Sequence, residues 1–174
     1  MTIEVKRITP DDWQLLRDLR LASLADAPGA FGQRYEEAGV TDERDWQATA
    51  RASASGDRRA WFICWRGQEA AGLVQGRRRP PADCLLFSMW VAPGARRQGT
   101  GRALVQAVED WGRGWGAKRV VLWVIEGNDP AIRFYESIGF RHVTDGPDAE
   151  SGRLYGALAM ERVAGGRAVS GVAK

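Results

Sequence analysis

MWVAPGARRQGTGRAL, residues Met89–Leu104, is the segment from which the architecture of this chain can be inferred. It predicts a strand, a sharp turn and a helix whose first turn contains Gly99 and Gly101. Glycines at such a turn let the backbone approach a ligand closely, and the N–H groups at the helix start are unpaired. These donors and the positive end of the helix dipole favour an anion. We therefore expect a phosphorylated ligand at this turn.

Length and composition restrict the class of protein. The 174 residues suffice for one domain with a sizeable core, and alternating strand-like and helix-like segments predict an α/β or α+β fold. The net charge of +3 suits an anionic ligand without indicating nucleic acid, which we do not expect as a partner. No apolar run approaches the roughly 18 residues of a membrane span, so no membrane association is expected.

The histidine and cysteine content argues against several chemistries. With the single histidine His142, a zinc site or a histidine-activated nucleophile is not expected, and we predict no metal cofactor. Cys64 and Cys84 lie in apolar, strand-like runs without nearby partners. Buried thiols of this kind, and a start at Met1–Arg7 that does not resemble a leader sequence, predict a cytoplasmic protein.

The periodicity of apolar residues outlines one domain over residues 1–163. The first helix is amphipathic, with one face formed by Trp13, Leu16, Leu19, Arg20 and Leu24. The predicted order is a strand at 2–8, helices at 9–27 and 41–52, a hairpin of strands at 61–65 and 71–75, a turn at 77–81, a strand at 84–91, a helix at 100–115, a strand at 118–125, a helix at 128–137, and strands at 141–144 and 153–162. The glycine-rich segment 164–174 is predicted to be a disordered tail.

A second motif identifies a family that this chain resembles. Residues Asn128–Phe140, NDPAIRFYESIGF, contain the pattern Asn-x-x-Ala-x-x-x-Tyr-x-x-x-Gly-Phe. Upstream, Val91–Gly101 contains Val-x-Pro-x-x-Arg-x-x-Gly-x-Gly. In this order and spacing, the two motifs resemble those of the GNAT superfamily of N-acetyltransferases. The stretch Leu19–Phe31 is similar to a common bacterial branch of it, and the resemblance spans about Ile3–Glu161.

The resemblance implies a fold, an activity and a cosubstrate. The fold is a single GNAT-like α/β (α+β) domain, with a mixed, twisted central sheet of about six to seven strands flanked by about four helices. The activity is acetyl transfer from acetyl-CoA to a primary amine, by direct attack in a ternary complex. A small-molecule amine is the expected acceptor, because no peptide-docking domain is evident. A protein or peptide amino group is the alternative.

Residues that match the family's cofactor site can be named one by one. Backbone amides of the matching turn bind the pyrophosphate of coenzyme A, which here implies Arg96, Arg97, Gln98, Gly99, Thr100, Gly101 and Arg102. The strand before the turn holds the pantetheine arm through Met89, Trp90 and Val91. Asn128 matches a position that hydrogen-bonds the arm, and Ala131 and Tyr135 follow on the same motif.

Tyr135 is the expected general acid. The departing thiolate needs a proton, and a thiol pKa of about 8.5 lies only some 1.5 units below that of a phenol. The alternative interpretation is that Ala131, Tyr135 and Ile138 form an apolar stripe on one helix.

The general base is less defined by the sequence. Some family members carry a glutamate on the central strand, but Cys84–Trp90 contains no acid. Glu36, Glu37 and Glu126 are the candidates. Each could equally be a solvated surface acid, and an ordered water linked to one of them is a further option.

The sequence also predicts where most of the tryptophans and the run Arg77–Arg79 lie. We expect a core position for Trp13, Trp46, Trp61, Trp111 and Trp123. Trp90 is the exception that could border the acceptor site. The run Arg77–Arg79 is expected to be a solvated turn, or alternatively to meet the 3′-phosphate of coenzyme A.

Two other functions are compatible with a strand, glycine turn and helix. A dinucleotide-binding oxidoreductase would also use a strand, glycine turn and helix, but its third glycine position is Leu104 here. A non-catalytic acyl-CoA-binding module of the same fold is the other rival. Acceptor choice is expected to depend on the loops at 28–40, 77–83 and 145–153, and a homodimer is an expectation common to such folds.

Overall fold

The computed structural model describes residues 2–163, so the tail predicted at 164–174 lies outside the described residues. Within them, seven strands form: β1 (Ile3–Arg7), β2 (Arg59–Arg66), β3 (Glu69–Arg79), β4 (Asp83–Val91), β5 (Arg119–Ile125), β6 (Arg141–His142) and β7 (Ala157–Val163). The α-helices of this part are α1 (Trp13–Asp26), α2 (Tyr35–Gly39), α3 (Glu43–Ala54), α4 (Thr100–Gly114), α5 (Asp129–Ser137) and α6 (Gly146–Leu154).

All seven strands belong to one sheet, in the order β1-β2-β3-β4-β5-β7-β6. The first four strands form an antiparallel meander, and β7 pairs antiparallel with both β5 and β6. Strands β4 and β5 are parallel neighbours. The predicted mixed sheet of six to seven strands is confirmed, and its mainly antiparallel pairing differs from the doubly wound parallel sheet of a dinucleotide-binding oxidoreductase.

The parallel pair separates after a short contact. Strand β4 pairs with β5 only from Asp83 to Leu85. Further along, its register with β3 shifts, and Ser88 has a positive φ of 52°. Such a bulge bends and twists the strand that carries it. The remaining part of β4 therefore diverges from β5 and leaves an opening in the middle of the sheet.

A cluster of charges holds the paired end of these strands. Arg119 Nε lies 2.8 Å from Asp83 Oδ1, and Arg79 Nη2 lies 2.7 Å from Asp83 Oδ2. The same two arginines contact Asp148 of α6, at 3.1 and 2.7 Å. Helix α6 is thereby fixed over the sheet next to the opening.

Each face of the sheet has its own core. Helices α4 and α5 cover one face, whose buried residues include Leu86, Leu104, Val108, Leu122 and Tyr135. Helices α1 and α3 cover the other, whose buried residues include Leu16, Trp46, Trp61, Leu73 and Trp90. The opening between β4 and β5 connects these two faces.

Three expectations about local structure were wrong. Residues Arg77–Arg79 are not a turn; they continue β3, because they pair with Asp83–Leu85 across the sheet. Helix α6 occupies most of the loop predicted at 145–153. Pro147 lies in the first turn of α6, where proline is favoured because its missing N–H would be unpaired there. The short helix α2 was not predicted, so the described chain has six α-helices where about four were expected.

The predicted core positions were partly correct. Trp46 and Trp61 are buried, whereas Trp13, Trp111 and Trp123 are half-buried. Cys64 and Cys84 are buried and free, as expected. Across residues 2–163, no helix combines the length and apolar character needed to cross a membrane. The same residues contain no group of three or more side chains that could hold a metal ion.

Candidate active site

The opening between β4 and β5 forms a cavity of about 600 Å³. This volume is within the range of small-molecule and cofactor sites. Its lining comprises Arg20, Ala30, Phe31, Gly32, Leu86, Phe87, Ser88, Met89, Leu122, Trp123, Val124, Ile125, Asn128, Ala131, Tyr135, Ser151, Tyr155 and Ala157. Four predicted site residues are therefore brought together: Met89, Asn128, Ala131 and Tyr135.

Tyr135 is held rigidly in this cavity. Its side chain lies on α5, the residue is only 7% exposed, and its ring packs edge-on against Phe134 and Phe140 at centroid distances of 5.1 and 5.4 Å. The hydroxyl donates a hydrogen bond to Met89 Sδ at 3.2 Å. Tyr135 is thus both part of the apolar stripe and a proton donor aimed at the diverging strand.

Burial raises the pKa of the Tyr135 phenol well above its ordinary value. The phenol is consequently protonated throughout the neutral range and can donate a hydrogen bond.

Asn128 and Ala131 form the start of α5. The Asn128 side-chain oxygen accepts from the Ala131 N–H at 3.4 Å, a capping interaction at the helix terminus. The Asn128 amide NH₂ has no hydrogen-bond partner among residues 2–163. It remains a donor on the wall of the cavity, where a carbonyl of a bound ligand could accept.

The glycine turn has the backbone geometry of an anion site. Gly99 directly precedes α4 and has a φ of 87°, a backbone conformation that only glycine adopts readily. The first helical hydrogen bond runs from Ala103 N to Gly99 O at 3.0 Å, so the amides of Thr100, Gly101 and Arg102 precede it. Thr100 as a whole is only 1% exposed, and its hydroxyl has no hydrogen-bond partner among residues 2–163.

Gly101 is needed for packing as well. A Cβ atom at this position would lie 3.0 Å from Phe134 and 3.1 Å from Met89. The turn thus packs directly against α5 and against the diverging part of β4. This contact fixes the anion site relative to Tyr135, which follows Phe134 in the chain.

Two of the predicted cofactor residues have structural partners instead. Arg96 pairs with Asp26 at the end of α1 and donates from Nε to the Val91 carbonyl at 3.0 Å. Trp90 is buried in the core beside α1, and its Nε1 donates to the same Asp26 at 2.8 Å. The Trp90 side chain does not line the cavity, and its contact with an acceptor stays a prediction.

The other polar side chains of the turn are exposed. Gln98 donates to the Gly94 carbonyl at 2.8 Å. Arg97 and Arg102 are exposed and take part in no ion pair with another residue of 2–163. These two arginines remain free to meet phosphate groups, whereas Arg96 braces the turn.

No carboxylate of residues 2–163 lines the cavity. Glu36 and Glu126 are exposed and lie outside its lining. Glu37 is also exposed; hydrogen bonds from the Arg34 backbone N–H and side chain lower its pKa. The roles of Glu36, Glu37 and Glu126 as general base stay predictions, and none of the three lines the cavity.

The sequence analysis did not predict most of the cavity wall opposite Tyr135, which includes Arg20, Phe31, Phe87, Trp123 and Tyr155. Phe87 stacks on Trp123 with a centroid distance of 6.0 Å, and the Arg20 guanidinium lies 4.7 Å from the Phe31 ring centroid. Tyr155, which is 78% exposed, lies at the rim. One feature of the sequence could have indicated this wall: Arg20 lies on the apolar face of the first helix, where a charged residue is unexpected.

A family comparison agrees with this geometry. The model of the acetyltransferase (GNAT) family matches residues 16–140, and the chain belongs to this family. The matched region contains the glycine turn, both diverging strands and Tyr135.

Individual relatives are similar over part of their length. A mycothiol acetyltransferase of Corynebacterium glutamicum is 32% identical over 111 residues, which is 64% of this chain and 37% of that protein. The peptidyl-lysine N-acetyltransferase YiaC of Escherichia coli is 42% identical over 60 residues, 34% of this chain and 37% of YiaC. The chain thus spans well under half of these relatives.

The fold also matches a solved structure. An acetyltransferase of the GNAT family from Streptococcus pneumoniae superposes with a TM-score of 0.74, at 17% identity. The match covers 94% of this chain and 100% of the other. At this identity the likeness establishes the fold alone.

Proposed function

We propose that this protein transfers an acetyl group from acetyl-CoA to the primary amine of a small molecule, by direct attack in a ternary complex. The observation that carries the proposal is the Tyr135 hydroxyl, buried and directed at Met89 where β4 leaves β5. Membership of the acetyltransferase family supports it independently.

Each part of the site has a role in this reaction. The amides of Thr100, Gly101 and Arg102, aided by Arg97 and the helix dipole, hold the pyrophosphate. Asn128 hydrogen-bonds the pantetheine arm, and the free edge of β4 beyond Leu85 receives it. Acetyl-CoA supplies the activated thioester.

The bond changes balance without net release of a proton, because the amine gives up one proton and the departing thiolate takes up one. The neutral amine nitrogen attacks the thioester carbonyl carbon, and the carbon–sulfur bond then breaks. Tyr135 donates its hydroxyl hydrogen bond, and ultimately a proton, to the departing thiolate, and is reprotonated from solvent. The amine proton leaves through the open side of the cavity. Since Glu36 and Glu126 lie outside the lining, we propose that either acts only through water.

The test is a thiol-release assay with acetyl-CoA and a panel of amines, amino acids, aminoglycosides and peptides. For Tyr135→Phe we expect kcat to fall about 100-fold, a typical loss for general acid–base catalysis, with unchanged acetyl-CoA affinity. Tyr155→Phe removes an exposed hydroxyl from the same cavity and serves as the control. Full turnover by Tyr135→Phe would refute the role of Tyr135, and acetyl-CoA binding without turnover on any amine would favour the non-catalytic module.

A protein or peptide amino group is the second candidate acceptor. It is supported by the 60-residue similarity to YiaC, whose name specifies peptidyl-lysine. Lysine-containing and N-terminal peptides in the panel distinguish it, because they would then exceed all small amines in kcat/KM.

Two further predictions concern the cell and the assembly. We propose a cytoplasmic location, supported by the free, buried Cys64 and Cys84. A homodimer stays a prediction, which sedimentation equilibrium of the full chain would check.

A further inference from the structure

Arg20 is the one charged residue among 2–163 that lines the cavity. It lies on α1, on the opposite face of the sheet from α4 and Tyr135, and it is only 6% exposed. A guanidinium so deeply buried normally has a carboxylate partner. Its surroundings therefore indicate whether its partner belongs to the protein or to a ligand.

The protein supplies Arg20 with neutral partners only. Its Nε and Nη2 donate to Gln33 Oε1, both at 3.2 Å, and its Nη1 lies 3.4 Å from Ser23 Oγ. The Phe31 ring lies against it. No carboxylate of residues 2–163 is within ion-pair distance, and of the five N–H donors of a guanidinium two have no acceptor. Burial lowers the pKa of Arg20 to about 10, so it carries its charge at neutral pH.

A purely structural role explains this arrangement poorly. Attaching Phe31 and Gln33 to α1 does not require a charge, since an apolar side chain of similar length would pack there without the desolvation cost. A role in holding coenzyme A phosphates is also disfavoured. Arg97 and Arg102 already stand free at the glycine turn, next to α4 and on the other face of the sheet.

We propose that the acceptor is an amine that also carries a carboxylate, and that Arg20 binds this carboxylate. The inference deepens the proposed function and rests on it. A planar guanidinium matches a carboxylate with two parallel hydrogen bonds. One cation, with no second one in the lining, fits a single negative charge better than a phosphate. The aromatic walls formed by Phe31, Phe87 and Trp123 favour an apolar side chain, as in an aromatic or aliphatic amino acid.

The experiment compares matched acids and amides. N-acetyl-L-phenylalanine and N-acetyl-L-leucine, which represent the products, are titrated by calorimetry into the CoA-saturated full chain, each beside its carboxamide. The proteins are wild type, Arg20→Met, Arg20→Lys and Arg17→Met. Arg17 is on the same helix but pairs with Asp18 and does not line the cavity, so Arg17→Met is the matched control.

The expected result is a preference for acid over amide of about 10- to 100-fold in wild type and Arg17→Met, as for a charge-assisted hydrogen-bond pair. In Arg20→Met we expect the preference for acid over amide to fall below about 3-fold. Arg20→Lys, which keeps the charge but cannot form two parallel hydrogen bonds with a carboxylate, should show an intermediate preference. Equal binding of every acid and its amide by wild type, or an undiminished preference in Arg20→Met, overturns the inference.

Kinetics with the free amino acids separates this inference from the proposed function. If amines without a carboxylate are acetylated as well as their carboxylate counterparts, the function stands and the inference fails. If acids are preferred through Arg20 but no amine releases thiol, the carboxylate site stands and the transferase function fails.

Discussion

The two halves of the cavity are built in different ways. The half that contains Met89, Asn128 and Tyr135 lies beside the glycine turn, and these residues belong to two continuous segments, Met89–Leu104 and Asn128–Phe140. The half that contains Arg20 comes from α1, the loop after it, the facing strands and α6, which lie far apart in sequence. In the proposed function, backbone amides at the glycine turn bind the pyrophosphate of the cofactor, whereas side chains of the Arg20 half contact the acceptor.

The difference shows how the two binding tasks constrain a chain. Backbone amides at a helix start need glycines at fixed spacing, so their position is visible as a motif. Side chains on an acceptor wall can come from any element that the fold brings near. The charge cluster of Asp83, Arg119 and Asp148 then becomes important, because it fixes α6 against the sheet on the acceptor half.

Breaking that cluster should affect stability and the acceptor half most. Burial alone would raise the pKa of Asp83, but hydrogen bonds from Arg119 and Arg79 lower it overall. Because the folded-state pKa of Asp83 is lowered, its charge stabilises the folded protein at every pH above the ordinary pKa near 4. This contribution to the unfolding free energy is lost as the pH falls through the folded-state pKa. For Asp83→Asn we expect about 2–4 kcal/mol less unfolding free energy at pH 7 in urea titrations.

This loss should shrink as pH falls below about 4, where Asp83 of the unfolded chain becomes protonated, and vanish once the folded-state carboxyl is protonated at its lower pKa. Acceptor KM should rise while acetyl-CoA affinity stays constant. Asp110→Asn removes an exposed partner of Arg113 and should cost under about 1 kcal/mol. A pH-independent loss for Asp83→Asn would contradict the assigned role of the charge.

The glycine turn offers the complementary test on the cofactor half. In Gly101→Ala the new methyl group must displace Phe134 or Met89, at a cost of about 1–3 kcal/mol. We expect acetyl-CoA to bind more weakly by calorimetry, with little change in acceptor KM. Gly114→Ala, at the other end of α4 with open space around it, should keep wild-type affinity. Equal behaviour of the two variants would argue against close packing at the turn.

A gain in stability is expected at Arg20. Replacing a buried charge that has no carboxylate partner with methionine should raise the unfolding free energy by about 1–3 kcal/mol, seen as a higher Tm. Arg17→Met should stay within about 0.5 kcal/mol of wild type. If Arg20→Met is instead less stable than wild type, the contacts of Arg20 with Gln33 and Phe31 stabilise the fold. This result would argue against a ligand-binding role as the reason for the buried charge.

The smallest effect concerns pH and Tyr135. Because burial raises the pKa of this phenol, its ionisation should not limit activity below about pH 10. We expect kcat/KM to rise as the acceptor amine loses its proton, without a descending limb up to that pH. The matching stability contribution is complete below about pH 10 and is lost above it. A descending limb near pH 9 that disappears in Tyr135→Phe would show that the phenol ionises earlier.

The two halves of the cavity differ in how much of their structure the sequence predicts. The strand and helix around Gly99 and the helix that carries Tyr135 were predicted nearly to the residue, because glycine spacing and apolar periodicity are local properties. Arg77–Arg79 and α6 were misjudged, since pairing with β4 and packing against the sheet overrode local turn signals. Asp26, from a helix distant in sequence, engages the side chains of Arg96 and Trp90, which no local pattern predicts, while the backbone contacts of both residues with the cofactor stay predictions.

The sequence alone indicated the family, the mixed sheet, the glycine turn before a helix and the place of Tyr135, because each depends on short-range spacing that the backbone must satisfy. Only the tertiary structure decided that Arg20 lines the cavity and that, among residues 2–163, no carboxylate does. Such facts depend on which distant segments share a surface. That sharing follows from burying two apolar faces around one sheet, and no local pattern records it.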